Sequence, residues 1–251
     1  MILKKKTSFE EVGSPWEKDK LDRKEIADYF TRVIDTVQQP FVISLNASYG
    51  MGKSFFIKNW NAQLQQDGYK SVYFNAWETD FSESPLLSFM SAVQKQLIHN
   101  SEEKEKFRKV TKKGGLYLAR KAFPILVKGA IKKVINAEEV EELIDLSEST
   151  DEEIIDAFGE IAADCIKQQE ATEIAISQFR NQLKELVKQI TRDITEEDKK
   201  KILIFVDELD RCRPDYAIEL LECIKHLFNV EGVIFILAID ETQLKSTIVK
   251  K

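Results

Sequence analysis

One short stretch constrains this chain more than any other: Phe41 to Ser54, reading FVISLNASYGMGKS. An apolar run from Phe41 to Leu45 leads into a loop of small residues, then Gly52-Lys53-Ser54, then a pattern that fits a helix. Strand, loop and helix in that order are the setting of a phosphate-binding loop, whose usual form is a glycine, four residues, then Gly-Lys-Ser/Thr. Ala47 stands at the first glycine, so the match is one residue short and a strained loop is expected there. Gly50 and Gly52 let the backbone turn its N–H groups toward a polyphosphate, and the helix that follows adds its dipole and free N–H groups. Ala47, Ser48, Tyr49, Gly50, Met51, Gly52, Lys53, Ser54 and Phe55 form the candidate nucleotide-binding set. Within it Lys53 is expected to reach the β and γ phosphates, and the Ser54 hydroxyl to hold Mg2+. Taken alone, the stretch also reads as a glycine-rich turn before a helix.

A second signal lies downstream, where KILIFVD (Lys201 to Asp207) runs on into Glu208-Leu209-Asp210-Arg211-Cys212-Arg213-Pro214. A short apolar run ending in an acidic pair is what a central parallel strand carries when it delivers carboxylates to a bound metal. Asp207 is the second candidate Mg2+ ligand, held mostly through water. Glu208 is placed to orient and deprotonate an attacking water. Arg211 or Arg213 is a candidate trans-acting finger, and an ion pair of Arg211 with Asp210 or Glu208 is the other reading. VIFILAI (Val233 to Ile239) makes a further strand that ends at Asp240. Asp240 either senses the γ phosphate or caps the helix ETQLKSTIV.

The rest of the chain fills in around these motifs. Trp16 reads as a core anchor, the base-binding side of a nucleotide pocket being the alternative. Ile26, Tyr29, Phe30, Val33, Ile34 and Val37 make a helical stripe that Pro40 ends. Phe55, Phe56, Trp60 and Leu64 form the buried side of the next helix, and KSVYFNAW (Lys70 to Trp77) reads as a strand with a polar and aromatic tip. Pro85 opens a helix carrying Leu86, Phe89, Met90, Val93 and Leu97, and Pro214 another with Ile218, Leu221, Ile224, Leu227 and Phe228 inward. Between them the chain changes character. Lys104 to Lys133 holds eleven Lys or Arg and one Glu, and Glu138 to Glu160 holds eleven acidic residues and no basic one. A stripe at Ile176, Phe179, Leu183, Leu186 and Ile190 follows. The charged helices either neutralise one another or present the basic segment (Gly114 to Ile135) to an anionic membrane or a nucleic acid. The expected domains are therefore an N-terminal half-core over 1–100, a charged helical insertion over 101–200 and a C-terminal half-core over 201–251.

A net charge of −6 argues against a protein that coats nucleic acid over its whole surface. Three cysteines without CxxC spacing and two histidines make a zinc site improbable. No apolar run approaches the roughly 18 residues needed to span a bilayer, and MILKKKTSFEEVG has no signal-peptide core. A cytoplasmic protein is expected, with the basic insertion as a route to the membrane periphery.

With both motifs in view, the chain resembles the KAP family of P-loop NTPases. That family shows a Gly-x-Trp-Gly-x-Gly-Lys-Ser/Thr loop, against Ala47 to Ser54 here; a Phe-Asn-Ala-Trp strand end, as in Phe74 to Trp77; and an Asp-Asp-Leu-Asp-Arg-Cys strand end, against Asp-Glu-Leu-Asp-Arg-Cys at Asp207 to Cys212. The resemblance implies a three-layer α/β sandwich on a parallel sheet of order 5-1-4-3-2. Here that leaves 1-4-3-2, with the fifth strand expected beyond Lys251 and the first strand exposed as an edge. It also implies an ATP-binding, Mg2+-dependent ATPase that switches a larger assembly through a protein partner or self-association, in defence against phage or in signalling at a membrane. The rival is a nucleotide-gated scaffold without turnover.

Overall fold

The computed structural model describes residues 14–99, 101–111, 170, 173–227 and 229–249. The basic segment Gly114 to Ile135, the acidic segment Glu138 to Glu160 and Phe228 lie outside the described residues, so the readings placed on them are left where the sequence put them.

Helix α1 (Lys24–Thr36) precedes strand β1 (Phe41–Asn46), and helix α2 (Lys53–Gln66) leads to β2 (Lys70–Asn75). Helices α3 (Pro85–Leu97) and α4 (Ser101–Val110) follow, and a helical run over residues 173–190 returns the chain to β3 (Ile202–Asp207). Helix α5 (Pro214–Leu227), β4 (Val233–Ile239) and α6 (Glu241–Val249) complete the described chain. The four strands form one sheet of order β1-β4-β3-β2, every pair parallel. This is the expected 1-4-3-2 order, with β1 and β2 at the edges. No fifth strand occurs among the described residues.

The strand period of two sorts side chains to opposite faces. Val72, Phe74, Ile204, Val206, Phe235 and Leu237 face a core shared with α3, α5 and the 173–190 run. Ile43, Tyr73, Leu203, Phe205, Ile234 and Ile236 face a second core with α1 and α2. Helices on both faces of a parallel sheet give the three-layer sandwich. They also explain why β3 is buried at every position while β1, at the edge, is buried only at Ile43. Phe107 of α4 and Ile176, Phe179, Leu186 and Ile190 of the 173–190 run belong to the first core. The two flanks of the 101–200 region are thus packed on the sheet.

Two helices turn a different side inward from the one their apolar stripes suggest. In α1 the buried residues are Ala27 and Ile34, whereas Ile26 and Tyr29 are exposed. The side facing α2 is partly polar: Thr31 accepts a hydrogen bond from Trp60 Nε1 at 2.9 Å, and Asp28 accepts one from Gln63. In α5, Tyr216, Ala217, Leu220, Cys223, Ile224 and Leu227 are buried, while Ile218 and Leu221 are only half-buried. Trp16 is an anchor. It is buried against Phe56, and its ring and backbone N–H groups donate to Gln63 and Asn59 of α2.

Strand register makes the C-terminal edge of the sheet level. Asn75 pairs with Asp207, Asp207 with Ala238, and Asn46 with Ile239. In open parallel sheets that edge is where ligands bind. Every candidate residue named above lies on or beside it, or in the loop and first helical turn that follow β1.

Candidate functional site

The loop between β1 and α2 takes the shape its glycines permit. Gly50 (φ +87°) and Gly52 (φ +83°) both sit in the left-handed region that other residues avoid. Gly52 is the residue that starts α2, and no side chain caps the helix. Its first turn therefore offers backbone N–H groups and the positive end of the dipole, which together suit an anion. Lys53 Nζ donates to Ala47 O at 2.5 Å and Ser48 O at 3.4 Å, so the ammonium lies across the loop. The strain expected at Ala47 is absent. Its φ is negative, and its N–H continues the β1–β4 ladder by donating to Ile239 O. An alanine there adopts no positive φ that would require a glycine. Tyr49 and Met51 are exposed at the loop tip.

Asp207 ends β3 almost entirely out of solvent. Its Oδ2 accepts from the Tyr73 hydroxyl at 2.7 Å and its Oδ1 from the Glu208 N–H at 3.0 Å, and the Ser54 side chain lies close enough to the carboxylate to favour its charged form. Burial pushes the Asp207 pKa above the ordinary range, against the pull of the Tyr73 hydroxyl and the nearby Ser54 side chain. Burial and the neighbouring Asp207 in turn push the Tyr73 phenol up. Ser54 and Asp207 thus put a hydroxyl and a carboxylate together, a hard oxygen donor pair of the kind Mg2+ takes. Among the described residues no group of three or more His, Cys, Asp or Glu gathers as a metal site. Mg2+ is bound through one or two protein oxygens plus water and phosphate, so such a group is not required.

Among the described residues Glu208 is one of three non-glycine residues with positive φ (+58°), a costly backbone conformation. Its Oε1 accepts from Arg211 Nη1 at 2.9 Å, and its Oε2 from Asn75 Nδ2 at 3.3 Å. The Arg211 guanidinium lies 4.2 Å from the Trp77 ring and 5.7 Å from the Tyr49 ring. One arginine thereby touches the loop after β1, the tip of β2 and the end of β3. Arg213 is engaged elsewhere, donating to the backbone carbonyls of Asp80 and Ser82. Asp240 serves two contacts at once: Oδ1 accepts from Gln243 N–H at 3.1 Å, capping α6, and Oδ2 accepts from Tyr49 N–H at 3.1 Å.

Sequence reading missed Tyr73, Asn75 as the partner of Glu208, and Arg23. The first two are strand residues whose partners sit on a neighbouring strand, and only the register reveals the pairing. Arg23 stacks on Phe55, its Cζ 4.5 Å from the ring centre, and lies against Gly52. Among the described residues no helix is long and apolar enough to cross a membrane.

No curated protein matches the chain in sequence. The family model described as the KAP family P-loop domain matches residues 23–251. The loop, the acidic strand end and the 1-4-3-2 sheet all fall inside that match, and the chain belongs to the KAP family of P-loop NTPase domains.

Proposed function

We propose that this chain binds ATP with Mg2+ at the C-terminal edge of its sheet and hydrolyses it, using the cycle to switch a larger assembly. The observation that carries the reading is the meeting of Ser54, from the first turn of α2, with the Asp207 carboxylate at the end of β3. The two motifs lie far apart in sequence, and their proximity at the C-terminal edge of the sheet supports a shared metal ion.

The residues divide the work as follows. Backbone N–H groups from Gly50 to Phe55 hold the polyphosphate, and Lys53 exchanges its loop carbonyls for the β and γ phosphate oxygens. Ser54 and Asp207 would hold a magnesium ion, which would supply positive charge beside the phosphoryl group. Glu208 orients the attacking water and accepts its proton. Asp240 keeps Tyr49 in register with the end of β4, so that loop movement and the α6 cap are linked.

A second reading, nucleotide binding without turnover, draws on one feature. Both Glu208 oxygens already accept hydrogen bonds, from Arg211 and Asn75, so an incoming water shares the carboxylate with two fixed donors. Equilibrium dialysis with labelled ATP, with Mg2+ and with EDTA, tests the shared part of both readings. Binding that strengthens with Mg2+ supports them; no ATP binding in either buffer removes both.

A further inference from the structure

The segment ahead of α1 does more than lead into the fold. Trp16 fastens it to α2 through Gln63 and Asn59. Asp19, its side chain 3% exposed, then accepts from the Arg23 N–H at 2.6 Å and from Arg23 Nε at 2.9 Å. These two bonds hold the guanidinium over Phe55, its Cζ 4.5 Å from the ring centre, and against the Gly52 backbone. A Cβ at Gly52 would stand 2.7 Å from Arg23 Nη1, so the glycine serves the approach of this arginine as well as the positive φ. The two Nη groups donate to no described residue, and the side chain keeps some exposure (20%). A cation braced by a shielded carboxylate, with free donors at the phosphate-binding turn, is a built contact for an anion.

Resting on the nucleotide reading above, we propose that Arg23 is a nucleotide-binding residue that takes the phosphate nearest the ribose, with Asp19 and Phe55 as its supports. Lys53 and the loop tip serve the β and γ phosphates. Arg23 lies beside Gly52 and over Phe55, at the end of the loop opposite its Tyr49 tip in sequence, and so is assigned the α phosphate. The planar fork of an arginine suits a phosphate oxygen pair and an aromatic face together, and a lysine at this position supplies neither. The site is thereby tuned to nucleoside diphosphates and triphosphates alike, with γ-phosphate discrimination left to other residues.

The test is equilibrium binding of ATP and of ADP to the full chain and to Arg23→Gln, with thermal unfolding recorded in parallel. The variant is expected to lose affinity for both nucleotides by the same factor, about tenfold or more for a charge-assisted contact. Because Arg23→Gln leaves Asp19 without its cation, the double variant Asp19→Asn/Arg23→Gln is measured beside it and decides the question if the single variant does not fold. Unchanged affinity for both nucleotides in a folded variant overturns the proposal and leaves the nucleotide reading intact. A loss confined to ATP also overturns it, since the contact would then be to the γ phosphate. A parent chain that binds neither nucleotide overturns the nucleotide reading and this proposal with it.

Discussion

Arg211 holds Glu208 by an ion pair of 2.9 Å, and the same guanidinium rests between the rings of Trp77 and Tyr49. Under the proposed function, the pair joins the residue assigned to activate water to an arginine that also lies beside Tyr49 of the loop after β1. On that reading, a movement of Tyr49 on nucleotide binding would reach Glu208 through Arg211.

If the pair restrains Glu208, Arg211→Ala should raise steady-state phosphate release. Partly exposed ion pairs are worth about 1 kcal/mol or less, so the rise is at most about fivefold. ATP affinity should stay within about twofold. A fall of about a thousandfold would instead assign Arg211 to charge stabilisation in the transition state.

Tyr73→Phe removes the hydroxyl that bonds Asp207 at 2.7 Å in a buried setting. A shielded carboxylate then loses a partner that nothing else replaces, and stability should fall by about 1–3 kcal/mol. Urea unfolding of parent and variant at neutral pH measures the difference. A loss well below about 0.5 kcal/mol would mean that water takes the place of the hydroxyl.

Glu219 of α5 is a carboxylate whose Oε1 is buried and bonds nothing among the described residues. Burial pushes its pKa up to about 7 from 4.5. The folded state then holds this proton more tightly than the unfolded state does. The associated stability is complete below the unfolded value of 4.5 and is lost as pH rises through about 7. Glu219→Gln should therefore be more stable than the parent at pH 8, by about 1–2 kcal/mol once partial exposure is discounted. The advantage should vanish near pH 4. Unfolding midpoints at the two pH values give the sign directly.

Much of this architecture can be read from the residues, and what cannot has a physical cause. Strands β3 and β4 are legible because burial on both faces demands unbroken apolar runs, ILIFV and VIFILAI. The inward residues of α3 are equally plain: Leu86, Phe89, Met90, Val93 and Leu97 are all buried. The inner side of α1 is misjudged because Ile26 and Tyr29 fit the helical period yet face solvent, while Thr31 and Asp28 face α2 and bond to it. Ala47 looks like a defect in the motif, although its φ is not positive and its N–H still pairs with Ile239 O. The partners of Glu208 and the placement of Arg23 depend on strand register and on the packing of the leading segment over α2. Neither leaves a local pattern in the sequence.

The measurement that tests the account most directly is equilibrium ATP binding beside steady-state phosphate release, for the parent, Lys53→Ala and Glu208→Gln. Lys53→Ala removes a charge-assisted contact made in both ground and transition states, so ATP affinity should fall by about tenfold or more. Glu208→Gln keeps the shape and hydrogen bonding of the side chain but removes the base. ATP should bind nearly as before while turnover drops by about a hundredfold or more. Unchanged turnover in Glu208→Gln beside an active parent would contradict the role given to the end of β3, and unchanged ATP affinity in Lys53→Ala would contradict the role given to the loop.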